Sequence, residues 1–353
     1  MKKILIIGAF GDGSPTTSGQ IIRTRITYQE LKAHYGERCV LTLNTSDVSS
    51  YHIRFPLFNH IRFLFQFGLK LLRSKTVLII VSENGMRMLY PILEKAAKWF
   101  GKRVLNSVVG GAVKPILKRY PQCRKAMKAF TINWVQLPGM IDELAAEGIF
   151  NAEVLPNSKP YTLISPDELD SPVFPPFRLC TFSRISKEKG TEDAIFAVRS
   201  LLEKGLPVTL DIYGQPDEKY RERFEELLRD LPKEIRYCGV APGDQADQLL
   251  RPYYLLLFPT TFDGEGFPGT LVDAFFAGLP VIATDWNHNG ALLTHGKTGY
   301  LYDPNTPARL ADLIEYAVEH PDEIISMRKA CLEEAKKYSM EHVMDILSSR
   351  IDH

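Results

Sequence analysis

Residues 254–284 read YLLLFPTTFDGEGFPGTLVDAFFAGLPVIAT and set out a strand, a glycine-rich loop, a helix and a second strand. The apolar runs at 254–258 and 280–283 are short and continuous, which is typical of strands buried on both faces of a parallel sheet. Between them, Pro268 and Thr270 suit the start of a helix over 268–277. This order predicts a parallel α/β sheet, with the loop at the carboxyl end of a strand.

The same alternation runs through both halves of the chain. Strands are predicted near 3–8, 38–44, 76–82, 103–109, 130–134, 152–155, 178–183, 207–212, 234–239, 254–258, 280–283 and 299–302. Helices are predicted near 19–35, 57–73, 86–100, 138–147, 190–203, 218–230, 268–277 and 306–319. We therefore predict an α/β fold of two Rossmann-like, doubly wound parallel-sheet domains that face each other across a ligand-binding cleft.

The boundary between the two domains is marked by residues 156–176, which contain six prolines in twenty-one residues. Such a segment is typical of a linker between domains. We expect an N-terminal domain over 1–160, a hinge linker over 161–176 and a C-terminal domain over 177–338. A capped C-terminal helix over 339–353 is expected to cross back to the N-terminal domain.

Composition excludes several classes of protein. No apolar run approaches the roughly 20 residues of a membrane-spanning helix, and we expect the opening MKKILIIGAF to form a first buried strand. The five cysteines are scattered singly without CxxC spacing, so we expect small core residues in a reducing cytosol. The sequence offers no zinc spacing, GxSxG elbow or Walker lysine, and no metal site is expected.

The glycine-rich loop suggests an anion site. Gly264, Gly266 and Gly269 allow a ligand to approach the backbone, and the helix that follows directs free N–H groups and its positive dipole end at that ligand. Arg184 and Lys189 follow another strand of the same predicted sheet. Together they could neutralise a departing diphosphate without a metal ion. The alternatives are an ordinary strand–helix turn and two solvated surface charges.

The motifs TFSRISKEKG, LDIYGQ, RYCGV and FPTTFDGEGFPGTLVDAFFAGLPVIATD, in this order, resemble the family 4 glycosyltransferases of GT-B architecture (retaining enzymes, glycosyltransferases group 1). In the first half, SENG at 82–85, VVGG at 108–111 and VLPNSKP at 154–160 resemble segments of members that build bacterial surface polysaccharides such as lipopolysaccharide or capsule. The resemblance implies metal-independent transfer of a sugar, with retention, from a UDP- or GDP-sugar to a glycan acceptor, which we expect to be lipid-linked.

The resemblance also implies roles for single residues. Arg184 and Lys189 would contact the donor diphosphate, and Glu265 would bind hydroxyls of the donor sugar; these three are the predicted catalytic group. In the family's Glu-x7-Glu motif the second glutamate holds the nucleotide ribose. Asp273 stands at this position, and its side chain is one methylene shorter than that of glutamate. The other predicted donor-binding residues are Gly19, Gly239, Gly266, Phe267, Pro268, Gly269 and Thr270, and the acceptor-side residues are Gly110 and Gly111.

Charge is divided unevenly, with a net +10 over residues 1–170 and −9 over 171–353. The stretch 57–73 is apolar except for one polar stripe, formed by Asn59, Arg62, Gln66, Lys70 and Arg73. This pattern suits a helix that inserts into a membrane interface, and it equally suits a helix packed in the domain with one solvent-exposed edge. Residues 114–128 add a second basic region. We expect a cytoplasmic protein, peripheral on the inner face of the plasma membrane, and no nucleic-acid partner.

Two other functions remain open from the sequence. One is a sugar-nucleotide epimerase of the same fold, which the order of the motifs disfavours. The other is a non-catalytic sugar-nucleotide-binding subunit of a polysaccharide assembly complex. Asp273 in place of glutamate motivates the second alternative, and so does the lack of a histidine after VVGG, where many relatives carry one.

Overall fold

The computed structural model describes residues 3–11, 19–46, 56–110, 113–169, 174–242, 245–264 and 266–353, with only the backbone of 56–60. The chain forms two compact units. One consists of Met1–Ser158 with Val343–His353, and the other of Lys159–His342. The two units are described separately below.

The first unit contains a six-stranded parallel sheet in the order β2-β1-β3-β4-β5-β6. Its strands are β1 (Ile4–Gly8), β2 (Val40–Asn44), β3 (Thr76–Ile80), β4 (Arg103–Ser107), β5 (Ile132–Val135) and β6 (Ala152–Val154). Its helices are α1 (Gly19–Tyr35), α2 (Pro56–Arg73), α3 (Glu83–Phe100), α4 (Val113–Arg119), α5 (Pro121–Ala129) and α6 (Gly139–Ala146). Every residue of β1, β3 and β5 is buried, as their continuous apolar sequence predicts.

The second unit contains a six-stranded parallel sheet in the order β12-β11-β10-β7-β8-β9. Its strands are β7 (Phe177–Phe182), β8 (Val208–Tyr213), β9 (Ile235–Gly239), β10 (Leu255–Phe258), β11 (Val281–Thr284) and β12 (Gly299–Tyr302). Its helices are α7 (Thr191–Glu203), α8 (Arg221–Arg229), α9 (Ala246–Leu250), α10 (Gly269–Phe276), α11 (Asn289–Leu292), α12 (Arg309–Glu319) and α13 (Pro321–Ala335); α14 (Met340–Asp352) begins in this unit and continues into the first.

The strand orders fix where each unit can bind a ligand. In the first unit β1 has β2 on one side and β3 on the other, and in the second β7 lies between β8 and β10. The chain reverses its direction across the sheet at these strands, so the loops at their carboxyl ends diverge and leave a crevice. Arg184 and Lys189 follow β7, and the glycine-rich loop follows β10.

The prediction of α/β fold with two doubly wound parallel sheets is confirmed, and several details differ. Helices α4, α5, α9, α11 and α13 were not predicted. One of the five cysteines, Cys238, is exposed at the edge strand β9, where we expected a core residue; the other four are buried. Ser339 caps the predicted last helix, because its Oγ accepts a hydrogen bond from the His342 amide at 3.2 Å.

Candidate functional site

In the second unit, two hydrogen bonds join the carboxyl end of β7 and the turn after it to the segment that follows β10. The amide of Thr261 donates to the Glu188 carbonyl oxygen at 2.7 Å. The Thr270 hydroxyl, in the first turn of α10, donates to the carbonyl oxygen of Phe182 at 3.0 Å. The end of β7 is therefore fixed against the loop and the helix that follow β10.

Arg184 and Lys189 converge on one aromatic ring. The Arg184 Cζ lies 5.5 Å and the Lys189 Nζ 5.1 Å from the centroid of the Phe262 ring. Both distances lie within the range of a cation–π contact. Phe262 belongs to the glycine-rich loop, so the two cations of the TFSRISKEKG motif meet beside a residue of a different motif. Phe262 itself was not singled out from the sequence, since a lone aromatic residue in a loop has no signature of this kind.

Gly190 allows Lys189 to lie this close to the loop after β10. Its φ is +70°, and a Cβ built on it would lie 2.2 Å from the Pro259 carbonyl oxygen. Only glycine adopts this conformation at no cost and leaves that space empty. Gly214 does the same after β8, where a Cβ would lie 1.8 Å from the Ser183 carbonyl oxygen. The loop that carries Arg184 is thus packed between two backbone segments.

Helix α10 begins at Gly269 and has the buried Pro268 at its N-cap position. The first amides of a helix lack partners within it and carry the positive end of the helix dipole. In α10 the Leu271 amide turns back to the Pro268 carbonyl oxygen at 3.0 Å, so Gly269 and Thr270 contribute the amides at the very start. Just before it, the Phe267 ring packs edge-on against Tyr338 at 5.9 Å. Gly266, Phe267, Pro268, Gly269 and Thr270 therefore follow one another around the start of the helix, while Glu265 lies outside the described residues.

Gly239 ends the edge strand β9 with a φ of +82°. Its carbonyl oxygen accepts a hydrogen bond from the Gly214 amide at 2.9 Å. Gly214 in turn lies against Ser183. Gly239 and Arg184 therefore lie at the same end of the sheet, where its strands have their carboxyl ends. Its role as a donor-binding residue stays a prediction.

Asp273 is buried one turn into α10 and already has partners within the protein. Its Oδ1 lies 2.7 Å from the Lys159 Nζ and accepts a hydrogen bond from the Tyr161 hydroxyl at 2.9 Å. Burial raises the pKa of the Asp273 carboxyl, and the charge and hydrogen bond of Lys159 partly offset this. Sequence reasoning missed Lys159 and Tyr161, since they lie in the segment predicted as a hinge linker or just before it.

In the first unit, the crevice beside β1 holds a cavity of about 350 Å³. Its wall includes Gln20 of α1 and three residues of the SENG segment, Ser82, Asn84 and Gly85. Arg87 contributes a cation, and Phe63 and Met88 contribute apolar surface. The sequence had pointed to SENG only through its resemblance to the family, and had not singled out Gln20 or Arg87.

The glycines predicted for the first unit differ in where they lie relative to this cavity. Gly19 is the exposed first residue of α1, next to Gln20 of the cavity wall. Gly110 follows β4 with a φ of +90°, and Gly111 lies outside the described residues. Neither Gly19 nor Gly110 lines the cavity.

Helices α2 and α3 expose apolar side chains. On α2 Phe65 and Leu72 are 67% and 70% exposed, and on α3 Trp99 is 71% exposed. The predicted wet stripe of α2 needs a correction at Lys70, whose Nζ turns inward to the Thr42 carbonyl oxygen of edge strand β2 at 2.9 Å. Arg62 and Arg73 are exposed as expected, and Asn59 has no described side chain.

The predicted basic region at 114–128 lies on α4 and α5. Its cations are all exposed, namely Lys114, Lys118, Arg119, Arg124, Lys125 and Lys128. Three of them pair with acids, including Arg119 with Glu83 at 3.2 Å. Within the described ranges no helix has the length and apolar character to cross a membrane. The same ranges contain no group of three or more His, Cys, Asp or Glu side chains that could hold a metal ion.

Comparison with known proteins relates this geometry to one family. Residues 174–338 match the family model described as Glycosyl transferases group 1. The chain is 31% identical over 192 residues to a UDP-N-acetylglucosamine–peptide N-acetylglucosaminyltransferase GtfA subunit of Streptococcus gordonii, covering 53% of this chain and 36% of that one. It is 27% identical over 143 residues to the amylovoran biosynthesis glycosyltransferase AmsK of Erwinia amylovora, covering 39% and 35%.

The alignments thus span about a third of the length of these curated relatives. Among solved structures, Alr3699/HepE of Anabaena in complex with UDP is similar with a TM-score of 0.72 and 14% identity, covering 99% of both chains. At that identity the likeness concerns the fold, and it extends over both units.

Proposed function

We propose that this chain, which belongs to the glycosyl transferases group 1 family through residues 174–338, transfers a sugar from a nucleotide-diphosphate donor to a glycan acceptor. The observation that carries the proposal is the convergence of Arg184 and Lys189 on Phe262, beside the start of α10. Two cations and a helix N-terminus in one crevice form a site for a diphosphate.

In the proposed reaction, the bond between the sugar's anomeric carbon and the diphosphate oxygen breaks. The oxygen of the acceptor hydroxyl forms the new bond to that carbon, and the hydroxyl proton passes to the departing diphosphate oxygen. Negative charge grows on the leaving oxygen as the bond breaks. Arg184, Lys189 and the first amides of α10 stabilise this charge, which lowers the barrier because the stabilisation increases toward the transition state. Attack from the face that the diphosphate leaves gives retention, as the family resemblance implies.

The other predicted donor residues have supporting roles. Glu265 accepts hydrogen bonds from hydroxyls of the donor sugar, and the backbone of 266–270 holds sugar and phosphate. Gly19 and Gly239 are proposed to leave space for the donor. The UDP bound to the structurally similar HepE makes UDP the first donor nucleotide to test, ahead of GDP.

For the acceptor we propose the cavity beside β1. Gln20, Asn84 and Arg87 offer hydrogen-bond donors for a sugar or a phosphate, and Phe63 and Met88 offer apolar contact. This combination suits a glycan carried on a phosphorylated lipid. Gly110 and Gly111 are proposed to border the path to this site.

We further propose that α2 and α3 rest on the cytoplasmic face of a membrane. Phe65, Leu72 and Trp99 would enter the interface, and the basic region at 114–128 would lie near anionic headgroups. Phe63 and Met88 lie on these same two helices and also line the cavity, so a lipid-linked acceptor could reach the cavity from the membrane.

The test is a turnover assay with UDP- and GDP-sugars in the presence of a chelator, with and without polyprenyl-diphosphate-linked glycans. We expect nucleotide release that increases when acceptor is present, together with a longer glycan. Nucleotide binding without any release would support the non-catalytic subunit, which the internal partners of Asp273 favour. Conversion of the donor to an isomeric sugar nucleotide without acceptor would indicate an epimerase.

A further inference from the structure

We infer that Lys159 is a donor-binding residue that contacts the nucleotide diphosphate, and that Asp273 and Tyr161 position it. This rests on the proposed function and assigns a residue to its donor site. The acid at 273 would then act through Lys159 and would make no direct contact with the ribose.

The first argument is the position of the ammonium group. A Cβ built on Gly269 would have the Lys159 Nζ as its nearest neighbour, at 3.7 Å. Gly269 is the first residue of α10 and lacks a side chain that would screen the lysine from this end of the helix. The Lys159 side chain remains 25% exposed, so a ligand can reach it.

The second argument is that the lysine is held from two sides. Its backbone forms a bridge with Ser339, and its amide donates to the Tyr338 carbonyl oxygen at 3.2 Å. The Tyr338 ring packs against Phe267, just before the start of α10, and against Phe275 in its last turn. The backbone of Lys159 is therefore fixed beside Tyr338, and its side chain is held by the ion pair with Asp273. Fewer side-chain rotamers remain to be lost on binding than for a free surface lysine.

The third argument is electrostatic. A cation beside a helix N-terminus is repelled by the positive end of the helix dipole, so some anion must offset it. Asp273 supplies one negative charge at 2.7 Å and accepts one of the three N–H donors of the ammonium group. Within the described ranges it is the one carboxylate paired with Lys159. The other donors suit a second anion at the start of α10, which the diphosphate provides.

Asp273 is poorly suited to hold the ribose directly. The same Oδ1 atom accepts from both Lys159 and Tyr161, and the residue is buried in α10. Tyr161 is itself held edge-on against Phe276 at 5.4 Å. The Asp273 side chain is only 6% exposed, and a ribose hydroxyl would have to displace these partners to reach Oδ1, whereas the Lys159 side chain is 25% exposed.

The test compares UDP with uridine, which lacks the phosphates, by calorimetric titration of the full chain; GDP and guanosine replace them if the wild type prefers GDP. Lys159→Met alone leaves a buried carboxylate without its cation, so the double variant Lys159→Met/Asp273→Asn is measured beside it. Lys204→Met is the matched control, because Lys204 pairs with Glu315 elsewhere in the same unit.

We expect the double variant to bind UDP at least about tenfold more weakly, because it loses one charge-assisted hydrogen bond to phosphate. Its affinity for uridine should be unchanged. Lys159→Arg should retain part of the UDP affinity, and Lys204→Met all of it. Unchanged UDP affinity in the folded double variant overturns the inference alone. Wild-type protein that binds neither UDP nor GDP overturns the proposed function, and this inference with it.

A second comparison tests the role of Asp273. If Asp273 positions Lys159, then Asp273→Asn weakens UDP and 2′-deoxy-UDP by the same factor, since neither loses a ribose contact. A preference for UDP over 2′-deoxy-UDP that disappears in Asp273→Asn would show a direct ribose contact and overturn the positioning role.

Discussion

At the scale of single residues, the candidate donor site depends on glycines that permit close backbone approach. Gly190 and Gly214 both have positive φ, and both lie where a Cβ would overlap a carbonyl oxygen. Such positions cannot be recognised from sequence, since a glycine in a loop looks the same whether its missing side chain matters or not. In the motif TFSRISKEKG the charged side chains suggest a role, and nothing in the sequence distinguishes Gly190.

Gly190→Ala should therefore destabilise the second unit by at least about 2 kcal/mol, from backbone strain and from the overlap with Pro259. Gly205→Ala is the matched control, because Gly205 also has a positive φ, of +84°, but has no atoms within 4 Å of its Cβ position. It should cost about 1 kcal/mol. Denaturant unfolding measures both, and equal losses would show that the overlap is relieved without cost.

Arg184→Ala and Lys189→Ala should each lower turnover about 10²-fold or more, because each removes positive charge that stabilises the leaving diphosphate. Thermal unfolding should change little, since Arg184 is exposed and Lys189 lies at the surface of the crevice. Lys187→Ala is the control, as Lys187 lies on the same short turn and is also exposed. Near-normal turnover in both test variants would remove the proposed mechanism.

At the scale of elements, the strands could be predicted because each is a short, continuous apolar run, and most predicted bounds agree with the structure to within two residues. Helices α4 and α5 were missed because Pro115 and Pro121 interrupt a polar, basic stretch. Both prolines lie in the first turn of their helices, where a missing N–H costs nothing. The pair Lys159–Asp273 could not be predicted, because the fold alone brings these distant residues together.

The exposed apolar side of α2 predicts binding to anionic vesicles. Replacing Phe65 and Leu72 together by serine should lower the fraction bound several-fold, since both side chains are mostly exposed and would enter the interface. Co-sedimentation with vesicles that contain an anionic lipid measures this. The control is Phe196→Ser, which changes a half-exposed aromatic residue of α7 in the other unit. Equal losses in test and control variants would contradict the assignment of this face.

The packing of α3 against α5 should depend on pH through Glu94. A hydrogen bond from Lys98, with the charges of Lys125 and Lys98, lowers the pKa of this carboxyl below 4.5, against the opposing effect of burial. A lowered folded-state pKa gives stability that is present above pH 4.5 and is lost as the pH falls through the folded value.

The effect of Glu94 should be small, about 0.5–1 kcal/mol, because both lysines are at least half exposed to solvent. Glu94→Gln should therefore lower stability at pH 7 by this amount and reduce the loss of stability on acidification. Unfolding curves of wild type and variant at pH 7 and pH 4 measure the difference. A variant whose acid sensitivity matches the wild type would contradict this role.

At the scale of the whole molecule, the two sheets have their candidate ligand-binding loops in equivalent places, after the strands where the chain reverses its direction across the sheet. The sequence singled out candidate donor residues in the second half, because the motifs there carry charge and glycine at fixed spacing. It indicated the acceptor half poorly. The cavity beside β1 is built from residues of five separate segments, including Gln20, Phe63 and Arg87, which share no local pattern.

The central claim is that the second unit binds a nucleoside diphosphate, and calorimetric titration of the purified chain with UDP and GDP, in the presence of a chelator, tests it most directly. The account predicts that one of the two nucleotides binds without added metal, and that the affinity falls in Arg184→Ala and Lys189→Ala. Binding of neither nucleotide, or binding that the two substitutions leave unchanged, would contradict it.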